Sequence, residues 1–250
     1  MSKFKFLFFA FILSFIATPS LANEAPALEG VDIAVSDSGV SFVERDVREA
    51  AVRVYTWRGG HGSGSYIKYK DFYFIITAQH VADGPLFSSY RVKKGSETTT
   101  AILVWSDAAA DIAVLMPNDK FEEIKPMKYK TTSKIPDVGT EIFYSGYPSK
   151  HQLMSIRGRV AGYEEKKDSG TQIMLHTYGW FGCSGSVIYN KRGEIIGVLW
   201  GVDVEYHPGI AVVEEMIWVI PIQKLDMKAV RENACWLPGV SQDSPRFCNN

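Results

Sequence analysis

The sequence predicts an all-β protein of two barrel- or sandwich-like halves with a helix at the C-terminal end. Three observations carry this. Short β-branched and aromatic runs recur at near-even spacing from Ala51 to Ile220, with turn residues between them. A polar stretch bearing several lysines, Pro117 to Pro136, divides the runs into two sets. After Pro221, the residues Ile222, Leu225, Met227, Ala229 and Val230 form one short amphipathic pattern, which predicts a helix over Ile222 to Asn233.

The elements follow in order. Residues 1–22 stand apart from the fold. Lys3 and Lys5 precede an apolar block from Phe6 to Ile16, and Ser20-Leu21-Ala22 follows Pro19, the pattern of a signal peptide cut after Ala22. The block is shorter than the roughly 20 residues that span a bilayer. The expectation is an exported protein, periplasmic or secreted, with no membrane association after cleavage. Residues 23–47 show little periodicity and read as an arm, extended or in a short helix, with structure expected from Arg48. Ala51 to Thr56 alternates as a strand, and Trp57 to Gly64 is glycine-rich and reads as a loop. Ser65 to Tyr69 and Phe72 to Ile76 are strands. Further strands are expected at Tyr90–Val92, Thr98–Trp105 and Ile112–Leu115.

The second half resumes at Gly139, with strands to Pro148 and over Met154–Tyr163. A charged hairpin spans Glu164 to Gly170, and Thr171 to Thr177 is a strand. Ser186–Tyr189, Glu194–Trp200, Ala211–Val213 and Met216–Ile220 complete the set, with a loop expected over Gly201–Pro208. The halves are expected at about 48–122 and 135–222 within a domain of 48–225, followed by a helix and tail over 226–250. Lysine and arginine total 27 against 28 aspartates and glutamates, so a general nucleic-acid binder is excluded. Of three cysteines, Cys235 and Cys248 flank a short Pro/Ser-rich tail and are placed to form a disulfide, which leaves Cys183 unpaired.

Three stretches carry chemistry. Gly182-Cys183-Ser184-Gly185-Ser186 sets a serine between glycines, which permit a sharp turn. Such a turn exposes a hydroxyl and aims the N–H groups of Gly182 and Ser184 at one point, as an oxyanion hole requires. Thr77-Ala78-Gln79-His80 ends a buried strand with a histidine, a residue type suited to general-base work near neutral pH. Asp111 stands immediately before an apolar strand, where a carboxylate is shielded and able to orient an imidazole. Asp107 competes for that role from farther away.

Together these segments resemble the chymotrypsin-like (trypsin-like) serine proteases. Thr77-Ala-Gln-His80 is similar to their Thr-Ala-x-His signature, Asp111-Ile-Ala-Val-Leu115 to the signature around their aspartate, and Gly182–Ser186 to Gly-x-Ser-Gly-Gly. The order fits, with 31 residues from His80 to Asp111 and 73 from Asp111 to Ser184. Gly62-Ser-Gly64, Tyr189–Gly197 and Trp218–Ile222 resemble the bacterial HtrA/Deg branch, without a PDZ domain. The resemblance implies two six-stranded β-barrels and a serine endopeptidase working through an acyl-enzyme, with His80, Asp111 and Ser184 catalytic. A peptide or protein is the implied substrate, held by Thr177, Tyr178 and Gly179 before the serine and by Val198, Leu199, Trp200 and Gly201 after it. Cys183 stands where activated trypsins carry an aspartate, which argues against activation by a freed N-terminus. Two alternatives remain: Cys183 as nucleophile, and a catalytically silent protease-like binding protein. No cofactor is expected, and no spacing of His, Cys and carboxylates suggests a metal site.

Overall fold

A computed structural model describes residues 40–250 apart from 208, 244 and 250. The expected signal peptide and most of the arm lie outside the described residues. Structure begins before Arg48, in helix α1 (Phe42–Ala50). The missed signal is a capping box. The Ser41 hydroxyl accepts from Glu44 N, and the Glu44 carboxylate accepts from Ser41 N (2.8 Å), so two orphan helix donors are satisfied reciprocally. Burial works to raise the Glu44 carboxyl, but bonds from Arg157 and Ser41 outweigh it and hold it below the usual range. That Glu44–Arg157 pair ties α1 to the second half of the molecule.

The first half holds β1 (Ala51–Tyr55), β2 (His61–Tyr69), β3 (Phe72–Thr77), β4 (Ser89–Lys94), β5 (Glu97–Asp107) and β6 (Ile112–Pro117). They pair in the order β1-β4-β5-β6-β3-β2, and β1 pairs again with β2 to close a six-stranded antiparallel barrel. A two-residue strand β7 (Met127–Lys128) adds to β2 in parallel. The second half holds β8 (Glu141–Gly146), β9 (Met154–Lys166), β10 (Gly170–His176), β11 (Val187–Asn190), β12 (Ile195–His207) and β13 (Gly209–Pro221). These close in the order β10-β13-β12-β11-β8-β9. Closure removes exposed sheet edges, and alternation turns one face of each strand inward. Val54, Tyr66, Ile75 and Leu115 fill the first barrel; Ile142, Ile173, Ile188 and Val219 fill the second.

A third core lies between the barrels. Ile67, Phe74 and Val114 meet Val187, Tyr189 and Ile220 there. A buried hydrogen bond of 2.7 Å joins the Ser65 hydroxyl to the Tyr189 hydroxyl across the seam. The C-terminal segment seals this core. A 3-10 turn (Ile222–Lys224) comes first, and α2 starts only at Met227, running to Ala234. The expected start at Ile222 fails because Asp226 is the cap: its carboxylate accepts from Lys228 N and Ala229 N. Two short helices, α3 (Val240–Asp243) and α4 (Pro245–Cys248), were not expected. The disulfide Cys235–Cys248 ties α4 to the end of α2, and Phe247 stacks on Phe72 with ring centroids 3.9 Å apart. Cys248→Ser, or reduction, is expected to cost about 2–3 kcal/mol, the value of a short closed loop. Thermal melts with and without reductant measure it.

Two expected loops are strand instead. The stretch Trp57–Gly64 is a turn only to Gly60, since β2 already begins at His61. Gly62 and Gly64 serve close packing: a Cβ on Gly62 would lie 2.4 Å from Val81 Cγ2, and one on Gly64 2.9 Å from the Ile76 carbonyl. The expected loop Gly201–Pro208 is mostly the extension of β12, which pairs with β13 out to His207↔Gly209.

Candidate active site

The cleft between the barrels receives three loops. His80 stands three residues past the end of β3. Its segment leaves the strand in a tight turn, with Val81 N and Ala82 N bonded back to the Ala78 carbonyl and Ala82 N also to that of Gln79. The buried Thr77 anchors that exit, donating its hydroxyl to the Ser63 carbonyl at 2.7 Å. The His80 side chain is 47% exposed, whereas Asp111 is 17% exposed. Asp111 holds His80 twice. One carboxylate oxygen lies 2.7 Å from Nδ1 and the other accepts the His80 backbone N–H at 2.8 Å. A carboxylate only accepts, so the Nδ1 position carries the proton in this contact. Asp111 reaches this position from a left-handed backbone conformation (φ 48°), which aspartate tolerates better than most residues. Asp107 does something else: its carboxylate caps the turn, accepting from Ala109 N and Ala110 N.

Ser184 sits in a turn that the first barrel clamps. Ser63 N donates to the Ser184 carbonyl, and the Ser63 hydroxyl donates to the Gly182 carbonyl, both at 2.7 Å. That hydroxyl also accepts from Tyr147 N. Ser149 N donates to the Phe181 carbonyl at 2.6 Å. Gly182 (φ 96°) and Gly185 (φ 88°) are required here; a Cβ would lie 2.5 Å from the Tyr147 carbonyl and 2.1 Å from the Ser63 carbonyl, respectively.

This clamp decides where the turn's N–H groups point. In a trans peptide the carbonyl and the N–H face opposite ways. The Phe181 carbonyl is held by Ser149, so the Gly182 N–H points away from it. The Cys183 carbonyl accepts from Ser186 N, so the Ser184 N–H likewise points away. Among the described residues, neither the Gly182 nor the Ser184 N–H has an acceptor, while those of Cys183, Gly185 and Ser186 do. The Ser184 hydroxyl donates to the Trp200 carbonyl at 3.4 Å, and no hydrogen bond joins it to His80. Cys183 is fully buried in the second barrel, and burial pushes its thiol up, away from thiolate.

The residues expected to hold substrate divide in two. Val198 and Leu199 turn their side chains into cores. Leu199 meets the serine turn through its backbone, accepting from Gly185 N and donating to the Ser186 carbonyl. Thr177 is buried, its hydroxyl on the Arg157 carbonyl. Tyr178 offers its carbonyl to the Tyr144 hydroxyl, and Gly179 packs where a Cβ would meet Ile217 at 2.3 Å. Gly201 faces open space. Trp200 lines a cavity of about 600 Å³ that His80 and Asp111 share with Asp168 and Ser169 of the charged hairpin and Gln172 of β10. Ser63, Ser149 and the hairpin residues were not among the expected site residues. Gly62-Ser63-Gly64 was visible as a motif, but only the fold shows what its serine bonds.

Residues 62–198, more than half of the chain, match the trypsin-like peptidase domain. No curated protein matches in sequence. Solved structures are similar in fold. The Rv3671c protease of M. tuberculosis, as a mutant in an inactive form, shares 15% identity over 81% of this chain and 95% of its own, with a TM-score of 0.60. Its active form shares 16% over 76% and 83%, also at 0.60. The serine endoprotease from Yersinia pestis shares 21% over 76% and 66%, at 0.58. With the closed barrels, the signature segments and the family match in agreement, the chain belongs to the trypsin-like peptidase family.

Proposed function

We propose that the protein is an exported serine endopeptidase that cleaves peptide bonds through an acyl-enzyme. The observation that carries this reading is the double hold of Asp111 on His80, which fixes the ring by its Nδ1 side, so that in the proposed mechanism Nε2 of the neutral imidazole serves as the proton acceptor. On substrate binding, the Ser184 hydroxyl turns from the Trp200 carbonyl toward Nε2. Its oxygen attacks the scissile carbonyl carbon while His80 takes the proton. The carbonyl oxygen becomes an oxyanion and accepts the Gly182 and Ser184 N–H groups. Collapse breaks the C–N bond, and His80 returns the proton to the leaving amine. Water then repeats the cycle on the ester, restoring Ser184. Catalytic hydrogen bonds are often long before substrate binds, so the resting Ser184 position agrees with this scheme.

A fluorophosphonate probe on the folded, purified protein tests the proposal. The expected result is one covalent adduct, on the peptide that contains Ser184. A folded protein that takes up no probe would instead favour a protease-like binding protein. Export is tested separately: protein recovered outside the cytoplasm should begin at Asn23, as read by N-terminal sequencing.

Ser63 supports this chemistry without touching substrate. Ser63→Ala frees the Gly182 carbonyl and Tyr147 N, and the oxyanion turn loosens. The expected result is a kcat lower by roughly 10- to 100-fold with KM nearly unchanged, less than the loss of an oxyanion donor itself. A matching rise in KM would show that Ser63 shapes substrate binding instead.

A further inference from the structure

A second cavity, of about 460 Å³, opens beside α1, β1, β4 and the loop after β8. Arg48, Arg53, Lys93 and Lys94 line it, and no aspartate or glutamate does. Among the described residues none of the four is ion-paired with a carboxylate. Three are instead held by neutral acceptors. Arg48 donates to the Leu153 carbonyl (3.0 Å) and the Ser155 hydroxyl (3.1 Å). Arg53 donates through one terminal nitrogen to the His151 carbonyl (2.8 Å), and its guanidinium lies 4.6 Å from the centre of the Tyr147 ring. Lys94 donates to the Arg48 and Ala51 carbonyls at 2.5 and 2.9 Å.

These contacts fix three of the cations but give none of the four an ion-pair partner. Two further features favour an anion at this hollow. Arg53 Nε is buried and has no acceptor. Lys94 is pulled down to about 8, first by burial and then by the charge of Arg48, against a weaker opposing pull from Glu49. A chain with a net charge of −1 has carboxylates to spare, and neighbouring cations use them: Lys125 pairs with Asp46, and Arg157 with Glu44. Four cations without ion-pair partners around one hollow repel one another, and a multivalent anion placed among them relieves that repulsion.

We propose that this cavity binds a tetrahedral oxyanion, a phosphate group, through Arg48, Arg53, Lys93 and Lys94. Guanidinium groups fork onto two phosphate oxygens, and ammonium groups add point charges. The group arrives either as free phosphate or as the headgroup of a lipid surface. The site does not depend on the proposed catalysis, because binding is read without substrate.

Calorimetric titration of inorganic phosphate into the full chain tests this, with ionic strength held constant by sodium chloride. The expected result is saturable binding, weakened about tenfold in both Arg53→Met and Lys93→Gln. Lys93 is exposed on β4, so Lys93→Gln keeps the test valid if Arg53→Met fails to fold. A second arm uses phosphatidylcholine vesicles with and without phosphatidylglycerol. Anionic vesicles that bind and are displaced by phosphate identify a lipid source, while phosphate binding without vesicle binding identifies a soluble one; both support the site. No binding beyond the chloride control overturns it, as does an affinity unchanged in the folded variants.

Discussion

Ser184→Ala is expected to lower kcat on a cleavable peptide by about a millionfold, whereas Cys183→Ala leaves it within about tenfold of the parent. The two residues are adjacent, but the fold gives them opposite surroundings. Ser184 carries one of the turn's two N–H groups without acceptors, the other being that of Gly182, in a turn that Ser63 and Ser149 hold from outside. Cys183 points into the second barrel among apolar side chains, and burial keeps its sulfur a thiol. Cys183→Ala is therefore a packing change, with a cost in stability of about 1 kcal/mol. Digestion of a peptide library with each variant reads activity and cleavage preference together. Activity that survives Ser184→Ala and disappears with Cys183→Ala would exchange the two roles.

Much of this arrangement was legible in the sequence because its signals are local. Thr77–His80, Asp111–Leu115 and Gly182–Ser186 each place a polar residue at the end of an apolar run, and strand alternation does the rest. The choice of Asp111 over Asp107 is also local: the residue nearer the apolar strand faces the histidine, and the other caps a turn. What the sequence did not disclose depends on contacts distant along the chain. Ser63 bonds the loop at Gly182 across 119 residues, and Arg53 reaches His151 across 98. The loop expected at Trp57–Gly64 has the same origin. Glycine there signals a turn in isolation, but Gly62 and Gly64 are small because another backbone or side chain fills the space. Helix α1 differs in kind: a short helix was one of two expectations for the arm, and Ser41-Phe-Val-Glu44 is the local signal that chooses it.

The cleavage preference follows less directly. Val198 and Leu199, expected to hold substrate, turn their side chains into cores and leave only backbone groups for that role. Under the proposed endopeptidase function, side-chain selection is assigned to the walls that remain open, including Trp200 and the hairpin residues Asp168 and Ser169 beside His80. The charged hairpin, read from sequence without a site role, thus lines a cavity beside His80.

Asp111→Asn is expected to lower kcat by about 10⁴-fold while the fold survives. The reason lies in which atoms Asp111 meets. One oxygen accepts the His80 backbone N–H at 2.8 Å, and that donor does not accept. An asparagine must therefore keep its carbonyl oxygen there and turn its NH₂ toward the ring nitrogen. The amide then donates to Nδ1, the ring proton moves to Nε2, and His80 faces Ser184 as a donor. The base is lost through the wrong tautomer, although no heavy atom need move. Asp107 does not substitute, since its carboxylate is committed to Ala109 N and Ala110 N. Asp107→Asn, which keeps an oxygen for those two donors, is the control and should change kcat less than tenfold. Steady-state rates on a fluorogenic peptide, with thermal melts of both variants, separate loss of the base from loss of the fold. A folded Asp111→Asn protein within tenfold of the parent rate would remove Asp111 from the mechanism.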